Sequence, residues 1–437
     1  MKKYLFYIAF IVSVMPFTGC KLELVNPNAP SDLEILNTRE GIISLSIGMK
    51  QHYSATSLEA LSVLTVAPTS REVKGVATFT NVLEMEAGGT ALPTFNGNIL
   101  ALWSRMLRTM TMADDIIENA PNVLASDDPI RPGIIAHANL VKAMAIGGLA
   151  TGFEKFPIQT VKTGTATFVT RQEGLDRAIT LLNDAAGLLA SYTAPTEFNT
   201  RILGARFNLL NCINAYRARY NLMAGKNAEA LAAANLVPLD VPSEFVYDGS
   251  RSVNPLFSQL STTRSFIARD NFGLPAGWVE TGDARLAFYY TGAPITSGTD
   301  VLRNYKGFGS ANNSPVPVYL PDEMRLIKAE AILRTGGTAS DAITQINAVR
   351  TQTTGDIYGV NASLPAYSGA TTPDALLLEV YKQRCMELYL SGLRLEDSRR
   401  FARPAPPANM MERNRNFYPY PDQERLNNPN IPEDPAI

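Results

Sequence analysis

From residue 42 to about 236, and again from 321 to 390, apolar side chains recur every three or four positions, which commits most of this chain to amphipathic helices that must bury one face on each other. Ile42, Ile43, Leu45, Ile47 and Met49 mark the first helix. A second is expected over 98–120, carrying Leu102, Met106, Met110, Ala113 and Ile117, with Pro121 closing it. A third covers 132–150. A fourth, 171–190, repeats Leu175, Ile179, Leu182, Ala186 and Leu189. A fifth, 202–224, ends at Gly225-Lys226, and a short sixth, 228–236, stops before Pro238. The apolar stretch 139–153 contains Lys142 and is too short to span a bilayer, which needs about 20 apolar residues, so it reads as a buried core helix. The expected class is all-α.

The fifth and sixth helices form a hairpin with a two-residue turn. Tyr216 and Tyr220 share one face of the long arm, and Ala228, Ala230, Ala233 and Ala234 let the short arm pack closely. The same design recurs at 321–350, where Met324, Ile327 and Ala331 mark one helix, Gly336-Gly337 turn the chain, and Ala342, Ile343, Ile346 and Val349 mark the next. Tetratricopeptide-like pairs are built this way, and stacking buries what one pair cannot. The Trp-x2-Leu-Gly-x2-Tyr signature is absent, so this likeness is one of architecture. Residues 237–318 break the pattern: Pro, Gly, Ser and Asn punctuate short apolar pieces such as 286–290, and a loop-rich insert with short strands is expected. So long an irregular stretch inside a compact domain points to function. A second irregular stretch, 351–373, precedes a strong helix at 374–390. Gly392 ends it, a short turn follows at 393–401, and the Pro- and Asn-rich tail from 404 is expected to wrap the surface.

The N-terminus has a basic start (Lys2, Lys3), an apolar run over 4–17 and a small-residue exit, the pattern of a cleaved export signal. Phe17-Thr18-Gly19-Cys20 resembles the bacterial lipobox, with Phe17 where Leu is usual. The expectation is a signal peptide over 1–19, a lipidated Cys20 with a Pro- and Asn-rich tether over 20–37, and one helical domain over 38–437. Lys and Arg number 39 against 41 Asp and Glu, which gives no basic footprint for nucleic acid. With Cys20 acylated, Cys212 and Cys385 remain. They could pair in an oxidising compartment, but both lie in helical patterns and read as small buried hydrophobes. Two His, His52 and His137, and no Cys/His spacing of the zinc kind give no metal site and imply no cofactor.

Several further motifs fall in order along the chain: Gly282-Asp283-Ala284-Arg285-Leu286; residues 326–331 followed by Ala342 and residues 346–350; Arg384-Cys385-Met386-Glu387-Leu388 with Gly392-Leu393-Arg394, Asp397 and Arg399-Arg400; and Tyr418-Pro419-Tyr420-Pro421 with Asn428-Pro429. That order resembles the SusD/RagB family of outer-membrane nutrient-binding lipoproteins of the Bacteroidetes. Ser391-Gly392 stands where Glu-Gly is more usual, which leaves the ligand class open. The resemblance implies tetratricopeptide-like helix pairs carrying an irregular ligand-facing region. It also implies a non-catalytic, cell-surface lid on a SusC-like TonB-dependent outer-membrane transporter, binding an oligosaccharide or a peptide.

The residues around 384–400 also have a physical reading. Arg384 and Glu387 are three apart on one helix face, and Arg394 and Asp397 repeat that spacing after Gly392, a set of ion pairs able to lock two helices at an angle. For ligand contact the candidates are Trp278, in the insert and readable as a platform or as a buried plug, and Phe95 with Asn96, just before the second helix. Trp103 and His137 read as core. Asp114, Asp115 and Glu118 read as a solvated helix face before a hydrolytic pair. No nucleophile elbow, phosphate loop or dinucleotide fingerprint is present. The rival functions are a lipid-anchored glycoside hydrolase using a carboxylate such as Asp114 or Asp397, and a structural membrane adaptor without a small ligand.

Overall fold

The computed structural model describes residues 35–160 and 164–437. The signal segment, Cys20 and the tether as far as residue 34 lie outside the described residues. Helix α1 (Arg39–His52) starts at Thr38, whose side chain accepts from the Gly41 amide. The helix then continues through two wide π-type stretches, Tyr53–Ser57 and Ala60–Val66, which the apolar spacing did not predict. Hydroxyls accompany this widening: Thr65 Oγ1 donates to the carbonyls of Ala60 (2.8 Å) and Leu61 (3.1 Å), and Ser62 Oγ to Leu58. A turn with extra residues loses the 3.6 period, and every residue of Ala60–Val66 is buried, so no polar stripe marks a helix face.

After strand β1 (Val73–Gly75) come α2 (Thr80–Ala87), α3 (Gly97–Val123) and α4 (Arg131–Gly152). Pro121 does not close α3, which runs two residues past it; so near the C-terminus the missing N–H removes one bond and no more. By length and composition α4 could cross a membrane, but 94% of its most apolar window is buried inside the helical array. Its neighbours come close because it offers glycine: a Cβ on Gly147 would lie 2.1 Å from Tyr220 Oη, and one on Gly148 2.6 Å from Met106. The short strands β2 (Lys155–Phe156) and β3 (Val169–Thr170) pair and lead into α5 (Arg171–Leu188), which opens with a capping box of Thr170 and Glu173.

The fifth helix is shorter than its sequence pattern. A π turn over Phe198–Leu203 and left-handed Gly204 (φ 82°) interrupt it, Asn208 caps the restart, and α6 covers Leu209–Met223. Gly225 turns the chain into α7 (Asn227–Ala234), forming the expected hairpin, with Tyr216 and Tyr220 edge to face at 5.5 Å. Cys212 and Cys385 are buried and free.

The insert holds strands β4 (Glu244–Phe245) and β5 (Phe266–Arg269), a one-turn helix α8 (Arg285–Tyr289), the hairpin β6 (Tyr290–Ser297) and β7 (Asp300–Tyr305), and β8 (Val316–Pro317). The piece 286–290 is therefore mostly helix. β4 pairs with β8. The other strands form an antiparallel sheet in the order β1-β5-β7-β6, with Val73 opposite Ala268, Ala268 opposite Arg303 and Tyr290 opposite Tyr305. β1 thus ties the insert to the N-terminal helices. The second hairpin follows as α9 (Pro321–Arg334) and α10 (Ala339–Arg350), then α11 (Pro373–Glu387), which share a separate core around Leu326, Ile346, Leu376 and Val380; α12 (Arg394–Arg400) follows and places Leu395 in the main core.

The tail does more than wrap the surface. Tyr418 and Tyr420 are fully buried; Tyr418 donates its backbone N–H to the Gly152 carbonyl, and Tyr420 packs on Phe153 and Trp103. A last turn, α13 (Asp422–Asn427), brings Glu424 to Trp103 Nε1 at 3.0 Å. The architecture is a helical array with small sheets, as the all-α reading with a loop-rich insert expects.

Candidate binding cleft

Five separated segments meet around an open cleft of about 650 Å³: Arg71 before β1, Glu86 on α2, residues 269–276 after β5, residues 299–301 in the β6–β7 turn, and Met410 with Met411 in the tail. Its floor is an ion ladder. Arg71 Nη1 donates to the Glu86 backbone carbonyl (2.9 Å) and lies 3.4 Å from its carboxylate. Glu86 accepts from Arg269 (2.5 Å) and from the Gly75 amide (3.0 Å), Arg269 also pairs with Asp300, and Asp300 accepts from Lys74 at 2.5 Å. Burial pushes the Asp300 carboxyl up, but Lys74 and Arg269 outweigh it and hold it below the usual carboxylate range. Leu274, Pro275, Ala276, Val301 and the two methionines supply an aliphatic rim. A polar floor with an aliphatic rim can meet a hydroxyl-rich ligand, because a hydroxyl can donate to a carboxylate and accept from a guanidinium.

Backbone strain concentrates here. Arg71 (φ 63°), Asn271 (φ 52°), Phe272 (φ 58°) and Gly273 (φ 64°) are all left-handed. The two strained segments interlock, since a Cβ on Gly273 would fall 1.8 Å from the Arg71 carbonyl oxygen. Non-glycine residues hold such a backbone only where their surroundings impose it, and such positions cluster at ligand sites.

The residues singled out in the sequence lie elsewhere. Asn96 is only 1% exposed and is the N-cap of α3: its Oδ1 accepts from the Asn98 and Ile99 amides, and its Nδ2 donates to the Asn81 carbonyl and to Glu84. Its polar atoms are thus committed to the protein, and it has no group to offer a ligand. Phe95, beside it, is 67% exposed but does not line the cleft. Trp278 follows the lining segment by two residues and is half-buried, with Arg403 (4.8 Å) and Lys382 (5.7 Å) over its ring and Tyr381 against it. Trp103 and His137 are core, as expected. His137 Nδ1 lies 2.9 Å from Ser46 Oγ, and burial pushes its pKa down to about 3. Asp114 is paired with buried Lys142.

The 384–400 set is buried, and Arg384, Glu387 and Asp397 are ion-paired, but the partners differ from the three-apart spacing. Arg384 grips Asp397 across the turn through Nε (2.8 Å) and Nη2 (3.0 Å), and Arg400 adds a third bond. Burial raises the Asp397 carboxyl, yet these two arginines hold it below its ordinary value. Glu387 belongs instead to Arg285, which also takes Asp283 in a two-point pair and Gln383, so the Gly-Asp-Ala-Arg-Leu segment is bolted to α11. Arg394 donates to the Phe272 carbonyl at 2.6 Å. Side chains compete for partners in three dimensions, and the nearer charge on another element displaces the one three residues away.

Sequence reasoning missed Arg71, Lys74, Glu86, Arg269 and Asp300. The available signal was charge at both ends of short apolar strands in the insert, together with Asn271-Phe272-Gly273 in a segment too long to be an idle loop.

Residues 282–434 match the model of the SusD family. No curated protein matches the sequence. Solved structures that share the fold include a SusD superfamily protein of Bacteroides thetaiotaomicron (15% identity, TM-score 0.69, covering 91% of this chain and 100% of that one). A SusD homolog from the same organism has 13% identity and a TM-score of 0.70, covering 93% and 99%. A SusD-like carbohydrate binding protein of Bacteroides fragilis has 14% identity and a TM-score of 0.68, covering 91% and 100%.

Proposed function

From the match of residues 282–434 to the SusD family, we propose that the chain is a member of the SusD/RagB family and a non-catalytic glycan-binding lipoprotein of the outer-membrane surface, held by a lipid on Cys20 and serving as the lid of a SusC-like TonB-dependent transporter. The observation that carries the reading is the strained, ion-floored cleft between β1, the β6–β7 turn and the tail, whose alternating charges suit ligand hydroxyls. The solved carbohydrate-binding relative supports the ligand class. The order of the lipobox and the helical array supports the anchor. Binding is favoured over hydrolysis because the carboxylates the rival mechanism would use are occupied: Asp114 by Lys142, and Asp397 by Arg384 and Arg400.

The test is calorimetric titration of the full-length chain in detergent with soluble starch, arabinoxylan, galactan, mannan and chondroitin sulfate, with reducing ends assayed in parallel. One of these glycans is expected to bind without release of reducing ends, and Arg269→Ala is expected to abolish the heat. Release of reducing ends would establish the hydrolase instead. Absence of any binding, with a β-barrel still recovered alongside the protein from membranes, would leave the adaptor. Failure to recover a barrel would remove the lid.

A further inference from the structure

The segment 384–400, the most recognisable stretch of the sequence, lines no part of the cleft, yet it grips both of its strained walls. On one wall, Glu72 follows left-handed Arg71. Its carboxylate accepts from the Leu390 amide (2.9 Å) and Ser70 Oγ (3.1 Å), and its carbonyl accepts from Tyr389 Oη (2.9 Å) and the Arg269 amide (3.0 Å). On the other wall, the Phe272 amide donates to Tyr290 Oη (2.8 Å), its ring lies against Tyr289, Tyr290 and Tyr389, and its carbonyl accepts from Arg394 Nη1 at 2.6 Å. Arg394 is a buried cation from another element placed on the middle residue of the left-handed run.

We propose that Arg394 is a positioning residue for the cleft: by holding the Phe272 carbonyl it keeps the 271–273 turn left-handed, and through the Gly273–Arg71 interlock it sets where the Arg71 guanidinium stands. This rests on the reading of the cleft as the glycan site. Three consecutive left-handed residues are an unfavourable backbone that relaxes unless its polar groups are held. The charge-assisted bond from a guanidinium is the strongest of those holding Phe272. Relaxation of the turn would move Gly273 off the Arg71 carbonyl that it packs against too closely for any side chain, so the floor of the cleft would shift with its wall. A lysine lacks the planar fork and replaces it imperfectly.

The test compares the full-length chain in detergent with Arg394→Met, Arg394→Lys and Asp300→Asn. Each is titrated, well below its melting temperature, with the glycan of the panel that the wild type binds, and amide exchange is followed across the chain. Arg394→Met is expected to remain folded, to weaken binding by about tenfold or more, and to speed exchange in 270–276 while α3 and α4 stay protected; Arg394→Lys is expected to fall between it and the wild type. A folded Arg394→Met with wild-type affinity and unchanged exchange in 270–276 overturns the proposal, even if Asp300→Asn has lost binding and the cleft reading stands. Wild-type binding by Asp300→Asn sinks the cleft reading and this inference with it. Should Arg394→Met fail to fold, Arg394→Lys is judged by the same two readouts.

Discussion

Asp322 and Glu387 are buried carboxyls, and one oxygen of each, Oδ2 and Oε1, accepts no hydrogen bond from the described residues. Burial pushes Asp322 up to about 6 despite Arg325; burial together with the charge of Asp322 pushes Glu387 well above the ordinary range. A carboxyl whose folded pKa is raised binds its proton more tightly when folded. Its stabilisation is therefore full below the unfolded pKa near 4 and is lost as pH rises through the folded value. Melting followed from pH 4 to 8 should show the wild type losing on the order of a few kcal/mol relative to Asp322→Asn as pH rises from about 4 to about 6, and little more above that; parallel profiles would refute this. Arg285 is a second single-residue test. It satisfies Asp283, Gln383 and Glu387 at once with no solvent exposure, so Arg285→Met should cost about 3–5 kcal/mol in chemical denaturation. A loss below 1 kcal/mol would contradict this, since it would mean that Asp283 and Glu387 stay buried without their cation at almost no cost. The sequence made the presence of charges here evident, through residue type and motif, but not their pairing, since Arg384 and Asp397 meet across a turn.

At the scale of elements, helices with one buried and one exposed face were legible. α5 and the α9–α10 hairpin follow their apolar spacing, the α6–α7 hairpin does so from Leu209 onward, and the glycines at 225 and 336 turn where expected. The π stretches after α1 were not, because their period is wider and Ala60–Val66 is buried on all sides. Caps were visible as residue types but were open to misreading: Asn96 reads equally as an exposed amide near an aromatic and as the start of α3. As a cap, Asn96→Ala should lower stability by about 1–2 kcal/mol, whereas exposed Phe95→Ala beside it should change little. Equal effects in thermal unfolding would contradict the assignment. Gly147→Ala in α4 would set a methyl against Tyr220, and an overpacking loss of about 1–3 kcal/mol is expected.

At the scale of the molecule, the helical class and the irregular insert could be read from the chain, but the cleft could not. Its walls come from residues near 71, 86, 270, 300 and 410, brought together by β1 joining the insert's sheet and by the tail returning beside α2. Asn414 makes that return, donating Nδ2 to the Met85 carbonyl at 2.8 Å. No local pattern encodes such a meeting, so residue type alone drew attention to Trp278, whose ring carries two cations. The central claim is that the cleft, and not the tryptophan, takes the ligand. A crystal structure of the protein with the oligosaccharide that it binds tests this most directly. The account predicts sugar hydroxyls within hydrogen-bond distance of Arg71, Asp300 and the 270–276 backbone; sugar stacked on Trp278 with the cleft empty would contradict it.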